Sequence, residues 1–431
     1  MRRYNAEISF LPAELAEIKR KMLNWSSRFS ISLFLDSNSY KDPNGRYECL
    51  LGAGAQKTIR KGDPNVFHDL YALWEEEHDW LFGHLCYDLK NELQSHLSSQ
   101  HTGHYSFSPL QFFVPQVVCS IAFGTSTLII SSLDADPKRI AQEILDGPEV
   151  PETELPVLEF QSIHRQDEYL ATISKLKEHI REGDCYEITF CNEAYTRVKD
   201  LDPRAVYSHL TTRSPTPFAA FYQDETSSMV CASPERFLQK RGSIIRSQPI
   251  KGTVKRSADP EQDAHLKASL KESQKERAEN VMIVDLVRND LAICCETGSV
   301  EVEELFGLYT YPNVHQMIST ISGKLRKDQT FANALQSCFP MGSMTGAPKH
   351  RVMQLIDQYE RSRRELFSGS VGYIDPEGDF DFNVIIRSLF YESQSGYLSY
   401  QTGGAITWGS DPQSEWEELR LKARAMEGIF L

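Results

Sequence analysis

Several short segments carry residue types at spacings that could do chemistry. In KESQKERAENVMIVD the carboxylates of Glu272, Glu276 and Glu279 recur at helical spacing, so one helix face would present all three. In DPQSEWEELRLKARAM, Asp411 and Pro412 read as an N-cap and a first helical position. Glu415, Glu418 and Lys422 then share one face of that helix, and Trp416, Leu419, Ala423 and Met426 the apolar one. Two acidic faces meeting at one point would repel each other unless a hard cation lay between them, and carboxylate oxygens suit magnesium. Two ordinary solvated amphipathic helices have the same pattern. Glu235, after a proline in CASPERFLQKRG, could serve as a general acid or base if burial raised its pKa, with a surface turn as the plain alternative. Lys251, in QPIKGT, stands between a strand-like run and a Gly-Thr turn; taken alone it reads as a solvated surface lysine.

Two glycine-rich loops complete the set. FPMGSMTGAPKHRVMQLIDQYE places a loop before a helix starting near Pro348, with Val352, Leu355, Ile356 and Tyr359 on its buried side. Such a helix N-terminus can bind an anion, and the glycines can equally serve tight packing. Ala347-Pro348-Lys349 after Gly346 departs from the nucleotide P-loop pattern. In QTGGAITWGSD the paired glycines permit close backbone approach to a ligand.

The elements that must position these residues fall into two textures. LDGPEVPETELPVLEF, rich in proline and glutamate, separates residues 1–150 from residues 160–431. The first part mixes helix-like LPAELAEIKRKML with strand-like RYECLLGAG, FFVPQVVCSIAF and TSTLIISS. The second opens with the helical EYLATISKLKEHIREGD and the strand CYEITFCNEAY, followed by FAAFYQ, SMVCAS and SIIRSQPI. A helical region from about 261 to 291 follows, and its nearly all-apolar VMIVDLV predicts burial on every side. SVGYID, FDFNVIIRSLFYE and YLSYQTGGAITW are strands joined by short turns, hence antiparallel. Strand runs with helices between them indicate an α+β class.

Composition sets the bounds. At 431 residues, 40% hydrophobic and 25% charged, the chain is an ordinary globular one with room for a large core. No apolar run is long enough to span a membrane. The formal net charge of −14, without a basic stripe, argues against nucleic acid and requires local cations or a metal to receive any anionic substrate. Nine cysteines without a CxxC pair, behind an N-terminus too polar for a secretory signal, predict reduced thiols and a cytoplasmic location.

In order along the chain, SPERF, PIKGT, ERAENVMIVDLVRNDL, MTGAPK, SGSVGYID and GGAITWGSDPQSEWEE resemble the chorismate-utilising enzymes. Each piece is unspecific and the ordered set is highly specific; it covers nearly all of 160–431. The resemblance implies two stacked antiparallel β-sheets with helices packed outside, and a site in the cleft between them. PIKGT resembles the aminodeoxychorismate-forming branch, since anthranilate-forming relatives usually carry alanine at the Lys251 position. That branch implies amination of chorismate at ring carbon 4, for para-aminobenzoate and folate synthesis, with magnesium (Mg2+) bound and ammonia supplied by a glutaminase subunit.

Residue roles follow from the same resemblance. Lys251 matches a lysine that attacks ring carbon 2, Glu235 the acid or base for the departing 4-hydroxyl, and His315 a histidine near that hydroxyl. A nucleophilic amine must be neutral, so the Lys251 site should desolvate it or hold it near another cation. Glu279 and Glu418 match the principal magnesium-facing carboxylates, with Glu276 and Glu415 as outer partners. Arg387 and Lys422 match groups that meet substrate carboxylates, and Thr345, Gly403 and Gly404 match ligand-lining positions. Two departures stand out: Phe367 where relatives often have tyrosine, and Glu187 where ammonia-using members usually have glutamine and water-using ones lysine. Ser37, in SLFLDSNSY, distantly resembles a tryptophan-binding segment of feedback-regulated relatives, with a buried edge strand as the alternative. Anthranilate synthase, isochorismate or salicylate synthase, a non-catalytic chorismate-binding subunit and a Schiff-base lyase stay as competing readings.

Overall fold

Apolar strands bury their surface only by pairing and stacking, and this chain does both with one continuous ladder. The computed structural model describes residues 2–94, 96–99 and 101–431, and its 20 strands join into a single hydrogen-bonded sheet. The junction is the long strand Leu110–Ala122. It follows Tyr47–Lys61 along one side, while its other side takes Leu81–Leu85 at one end and Thr127–Ser132 at the other.

Two wings leave this junction, antiparallel throughout. One runs through Ile31–Asp36, Phe218–Asp224, Ser227–Ser233, Ser388–Glu392 and Tyr397–Ile406 to Glu187–Arg197. The other runs through Ser370–Ile374, Phe380–Asn383, Arg236–Arg241 and Ile244–Gln248 to Val314–Lys324, which also pairs with Ile250–Lys255 and Glu301–Thr310. Their facing surfaces share one core, in which Leu33, Tyr222 and Met229 of the first wing meet Phe82, Phe237 and Phe382 of the second. Helices Leu15–Ser26, Pro137–Leu145, Pro203–Arg213 and Pro412–Glu427 cover the outer face of the first wing through Met22, Ile140, Leu210 and Met426. The expected α+β class with stacked antiparallel layers is therefore what forms. The two layers are wings of one branched sheet, because Tyr47–Lys61 and Leu110–Ala122 are long enough to serve both. Strands of 1–150 pair directly with strands of 160–431, as in Ile31–Asp36 with Phe218–Asp224 and Leu81–Leu85 with Ser370–Ile374.

Three sequence expectations change. The helical region near 261–291 is two helices, Pro260–Glu272 and Gln274–Cys294. Ser273 is extended between them, and its hydroxyl accepts from the Glu276 amide as the N-cap of the second helix. Glu272 is thereby cut off from the face that carries Glu276 and Glu279, and it is exposed. The VMIVDLV run is not buried all round: Ile283, Val284 and Val287 face inward, and Val281 is 41% exposed because the helix packs on one side only. FDFNVIIRSLFYE is not one strand. Phe380–Asn383 and Ser388–Glu392 belong to different wings, and residues 384–387 are the crossing between them.

A buried ion pair ties the first wing to the glycine-rich loop. The Arg364 guanidinium donates to both oxygens of Glu360 (2.9 and 2.6 Å), to the Met344 carbonyl at 2.7 Å and to the Thr189 carbonyl at 2.9 Å. Glu360 in turn accepts from the Cys191 amide. Removing one member leaves the other as an uncompensated buried charge. Arg364→Met is expected to destabilise the protein by about 3–5 kcal/mol in urea unfolding, and adding Glu360→Met to recover part of that loss.

Candidate active site

The chain crosses from one wing to the other twice, at adjacent places. Ser227–Ser233 lies in the first wing and Arg236–Arg241 in the second, so Pro234 and Glu235 form one crossing. Residues 384–387 form the other, and Arg387 adopts a left-handed φ of 52° there. Backbone bonds from the Val384 amide to the Glu235 carbonyl and from the Ala232 amide to the Arg387 carbonyl hold the crossings side by side. Two charged residues are thus delivered between the layers by backbone that has left both ladders.

Burial pushes the Glu235 carboxyl up to about 7, against the opposing pull of a Ser343 hydroxyl, Lys251, the Ile250 amide and Arg387. Burial likewise lowers the Arg387 pKa from its ordinary value, with Tyr311 and Glu235 pulling the other way. The Arg387 guanidinium makes no ion pair among the described residues, which leaves it free to meet a carboxylate.

Lys251 enters from the second wing. Strand Ile250–Lys255 shifts register against Val314–Lys324 between Ile250 and Thr253, and a bulge of this kind re-aims the side chains in it. Gly252 in the bulge has a φ of 90°, and a Cβ there would stand 3.0 Å from Glu276 Oε2. The Lys251 Nζ donates to Glu187 Oε1 at 2.5 Å, with Glu187 on the first wing and completely buried. The second Glu187 oxygen is buried without a hydrogen-bond partner. Desolvation alone would lower the Lys251 pKa, yet Glu187, Glu279 and Glu235 outweigh it and the net shift is upward. The expected desolvation of Lys251 is present and acts to lower its pKa, but its neighbours are carboxylates and not a second cation, so the net shift favours the ammonium form.

The acidic helix faces converge here. Helix Gln274–Cys294 packs on the Lys251 strand, and helix Pro412–Glu427 packs on Tyr397–Ile406. Gly404 lets the second approach closely, since a Cβ there would lie 3.0 Å from Glu415 Oε2 and 3.8 Å from Glu418 Oε1. Burial, then Glu187 and Glu276, push Glu279 up to about 7, and burial also raises Glu276. Lys422, 2.9 Å from Glu418, lowers that carboxyl. Lys275, which the sequence reading passed over, reaches between the faces, 3.6 Å from Glu415 and 3.9 Å from Glu279. Its position one residue before Glu276 and four before Glu279 was the available signal. No three of the four carboxylates of Glu276, Glu279, Glu415 and Glu418 bring one oxygen each within 4.8 Å of one another. Glu279 Oε1 is nevertheless buried without a hydrogen-bond partner. Magnesium keeps several waters and takes one or two carboxylates plus substrate oxygens, so this donor set fits it.

The remaining candidates are placed variously. Lys422 donates to the Gly403 carbonyl at 2.7 Å, and Gly403 packs against Phe190 and Cys191, where a Cβ would clash. His315 is engaged at both ring nitrogens, by Thr310 at 3.0 Å and by Asp263 at 3.1 Å. Thr345 is buried and its hydroxyl donates to the Met341 and Gly342 carbonyls of its own loop, so it shapes the loop and does not present that hydroxyl to a ligand. Phe367 lies in the core between the wings. The N-terminus of helix Lys349–Tyr359 presents Lys349 to Asp290 at 2.6 Å. Ser37 lies away from these groups; its hydroxyl donates to Glu48 at 2.7 Å, and it lines a cavity of about 70 Å³ with Asp42, Arg46, Tyr47 and Arg236. Ser343, Asp263 and Lys275 are the contacts that sequence reasoning missed; for the first two, only the fold brings the partners together.

Comparisons with known proteins bear on the family and the fold. The protein of Streptomyces griseus named aminodeoxychorismate synthase is 44% identical over 261 residues, 60% of this chain and 36% of that one. The aminodeoxychorismate synthase component 1 of Escherichia coli (strain K12) is 36% identical over 260 residues, 60% of this chain and 57% of that one. The chain thus spans from about a third to somewhat over half the length of these curated relatives. The crystal structure of anthranilate synthase component I from Streptococcus pneumoniae TIGR4 superposes with a TM-score of 0.78 over 90% of this chain and 93% of that one; at 22% identity this shows the shared fold. A family model described as chorismate binding enzyme matches residues 38–428, and the chain belongs to that family.

Proposed function

We propose that this chain makes 4-amino-4-deoxychorismate from chorismate and ammonia, as an aminodeoxychorismate synthase component I served by a separate glutaminase subunit. The observation that carries the reading is Lys251, buried in the cleft between the wings within the electrostatic reach of Glu235. An amine there can attack ring carbon 2 while the protonated Glu235 carboxyl releases the 4-hydroxyl as water. Ammonia then attacks carbon 4, the ring double bonds shift back, and the bond to Lys251 breaks. Arg387, uncommitted in the cleft, suits a substrate carboxylate. Glu279 and Glu418 would hold magnesium, with Glu276 and Glu415 through water; when bound, the ion offsets the charge of the ring carboxylate. All nine cysteines are free and buried, which supports a reducing compartment such as the cytoplasm. No helix among the described residues is long and apolar enough to cross a membrane.

Incubation with chorismate, magnesium and ammonium should yield 4-amino-4-deoxychorismate by mass spectrometry, and Lys251→Met should cut the rate by about 10²-fold or more. Anthranilate or isochorismate as the sole product rejects the reading. Glu235 must keep its proton to act as an acid, and that proton is lost as pH rises past about 7. The kcat/KM for chorismate should therefore fall by about tenfold per pH unit above that point, and Glu235→Gln should lose this limb along with about 10²–10⁴-fold in rate.

The cavity beside Ser37 supports a second part of the reading, a site for an amino acid such as tryptophan. Asp42 and Arg46 line it, paired with Arg236 at 2.5 Å and Asp375 at 2.6 Å, and the ammonium and carboxylate of such a ligand would exchange with those partners. Calorimetric titration with L-tryptophan should give saturable binding that Ser37→Leu weakens; no heat with the unaltered chain would dismiss the site.

A further inference from the structure

The buried pair of Lys251 and Glu187 poses a chemical problem whose solution the geometry supplies. In the free site Nζ donates to a buried carboxylate, the pairing an ammonium makes, and an ammonium has no lone pair with which to attack. The carboxylates that face Lys251 are Glu187 from the first wing, Glu235 from the crossing, Glu276 and Glu279 from helix Gln274–Cys294, and Glu418 from helix Pro412–Glu427. Glu187 alone among them hydrogen-bonds Nζ, at 2.5 Å. Glu235 must hold its own proton for the departing hydroxyl, and the other three form the set that faces the metal.

Glu187 is also built not to move. It opens the strand Glu187–Arg197 and pairs with Ala347 of the glycine-rich loop, whose Gly346 is packed so closely that a Cβ would stand 2.1 Å from the Glu187 carbonyl oxygen. Its carboxylate is wholly buried, with one oxygen on Lys251 and the other without a partner. A buried carboxylate with an unused oxygen can take up a proton without exchanging it with solvent.

We propose that Glu187 is the internal proton acceptor of Lys251, taking the ammonium proton across their hydrogen bond so that the amine can attack. This rests on the reading of Lys251 as the nucleophile. The proton moves from Nζ to Glu187 Oε1, and the freed lone pair forms the bond from Nζ to ring carbon 2. The ring π electrons shift toward carbon 4, the carbon–oxygen bond there breaks, and the hydroxide leaves as water with the Glu235 proton. Ammonia then bonds to carbon 4, the π electrons return, and the carbon 2–Nζ electron pair goes back to Lys251. The new C4 ammonium gives a proton to Glu235, and Glu187 returns its own to the lysine, so the site is restored with no net proton lost.

The test is single-turnover formation of the Lys251 adduct by the magnesium-loaded full chain, without ammonia, followed against pH by intact mass spectrometry. The unaltered chain should show a single falling limb, set by Glu235. Glu187→Gln should add a rising limb of about tenfold per pH unit, giving a bell with a maximum about 10²-fold lower. Glu187→Asp, which keeps a carboxylate, should retain the single limb and guards against a fold defect, to be checked by circular dichroism of each variant. A Glu187→Gln profile of the same shape and height as the parent overturns the inference. A parent chain that turns over chorismate and ammonia but never shows the adduct overturns the lysine reading itself, and the two failures are thereby told apart.

Discussion

The ion pair between Lys251 and Glu187 is the contact on which the cleft depends, because neither member can be buried alone. Moving a lone ammonium or carboxylate out of water costs several kcal/mol, and only a close partner with good geometry offsets that. Here the partners come from opposite wings of the sheet, so the pair forms only when the two layers are stacked in register. The register shift at Lys251 and Gly252 and the tight seat of Glu187 against Gly346 both serve that juxtaposition. An ammonium has no lone pair, so a lysine held this way could act as a nucleophile only after transfer of its proton.

Around the pair the same electrostatic logic spreads outward. The site gathers Glu235, Glu276, Glu279, Glu415 and Glu418 in one cleft of an already acidic protein, and burial shifts Glu235, Glu276 and Glu279 toward their neutral forms. Lys275 and Lys422 lie against this surplus with half-exposed side chains, whereas Arg387 makes no ion pair among the described residues. Repelling carboxylates, half-exposed lysines and an arginine without an ion pair among the described residues form an arrangement that a cation and an anion bound together would complete. The net charge of −14 is thus compatible with an anionic substrate because the receiving charges are local.

Legibility in the sequence followed the range of the interactions. Asp411 capping the last helix, Pro412 at its first position and the shared face of Glu415, Glu418 and Lys422 are set within a few residues of chain, and helical spacing exposed them. The antiparallel strands near the C-terminus were equally plain from their short turns. Ser273 was missed because a serine inside a helical pattern is ambiguous until its hydroxyl is seen to cap Glu276. Val281 was misjudged because an apolar run does not say how many sides have neighbours. VIIR, read as strand, is a crossing between wings, since apolar residues suit buried irregular backbone as well as a ladder.

The sequence by itself determined the α+β class, the family through its ordered motifs, and which residue types could carry charge and chemistry. It also singled out Lys251 and the departure at Glu187. Only the tertiary structure decided that Lys251 pairs with Glu187 across the cleft and that Lys275 reaches between the acidic faces. It likewise showed that His315 is tied at both nitrogens and that the Thr345 hydroxyl is spent on its own loop. The reason is physical: protonation state and hydrogen-bond partner depend on burial and on groups distant in sequence, and spacing along one chain records neither.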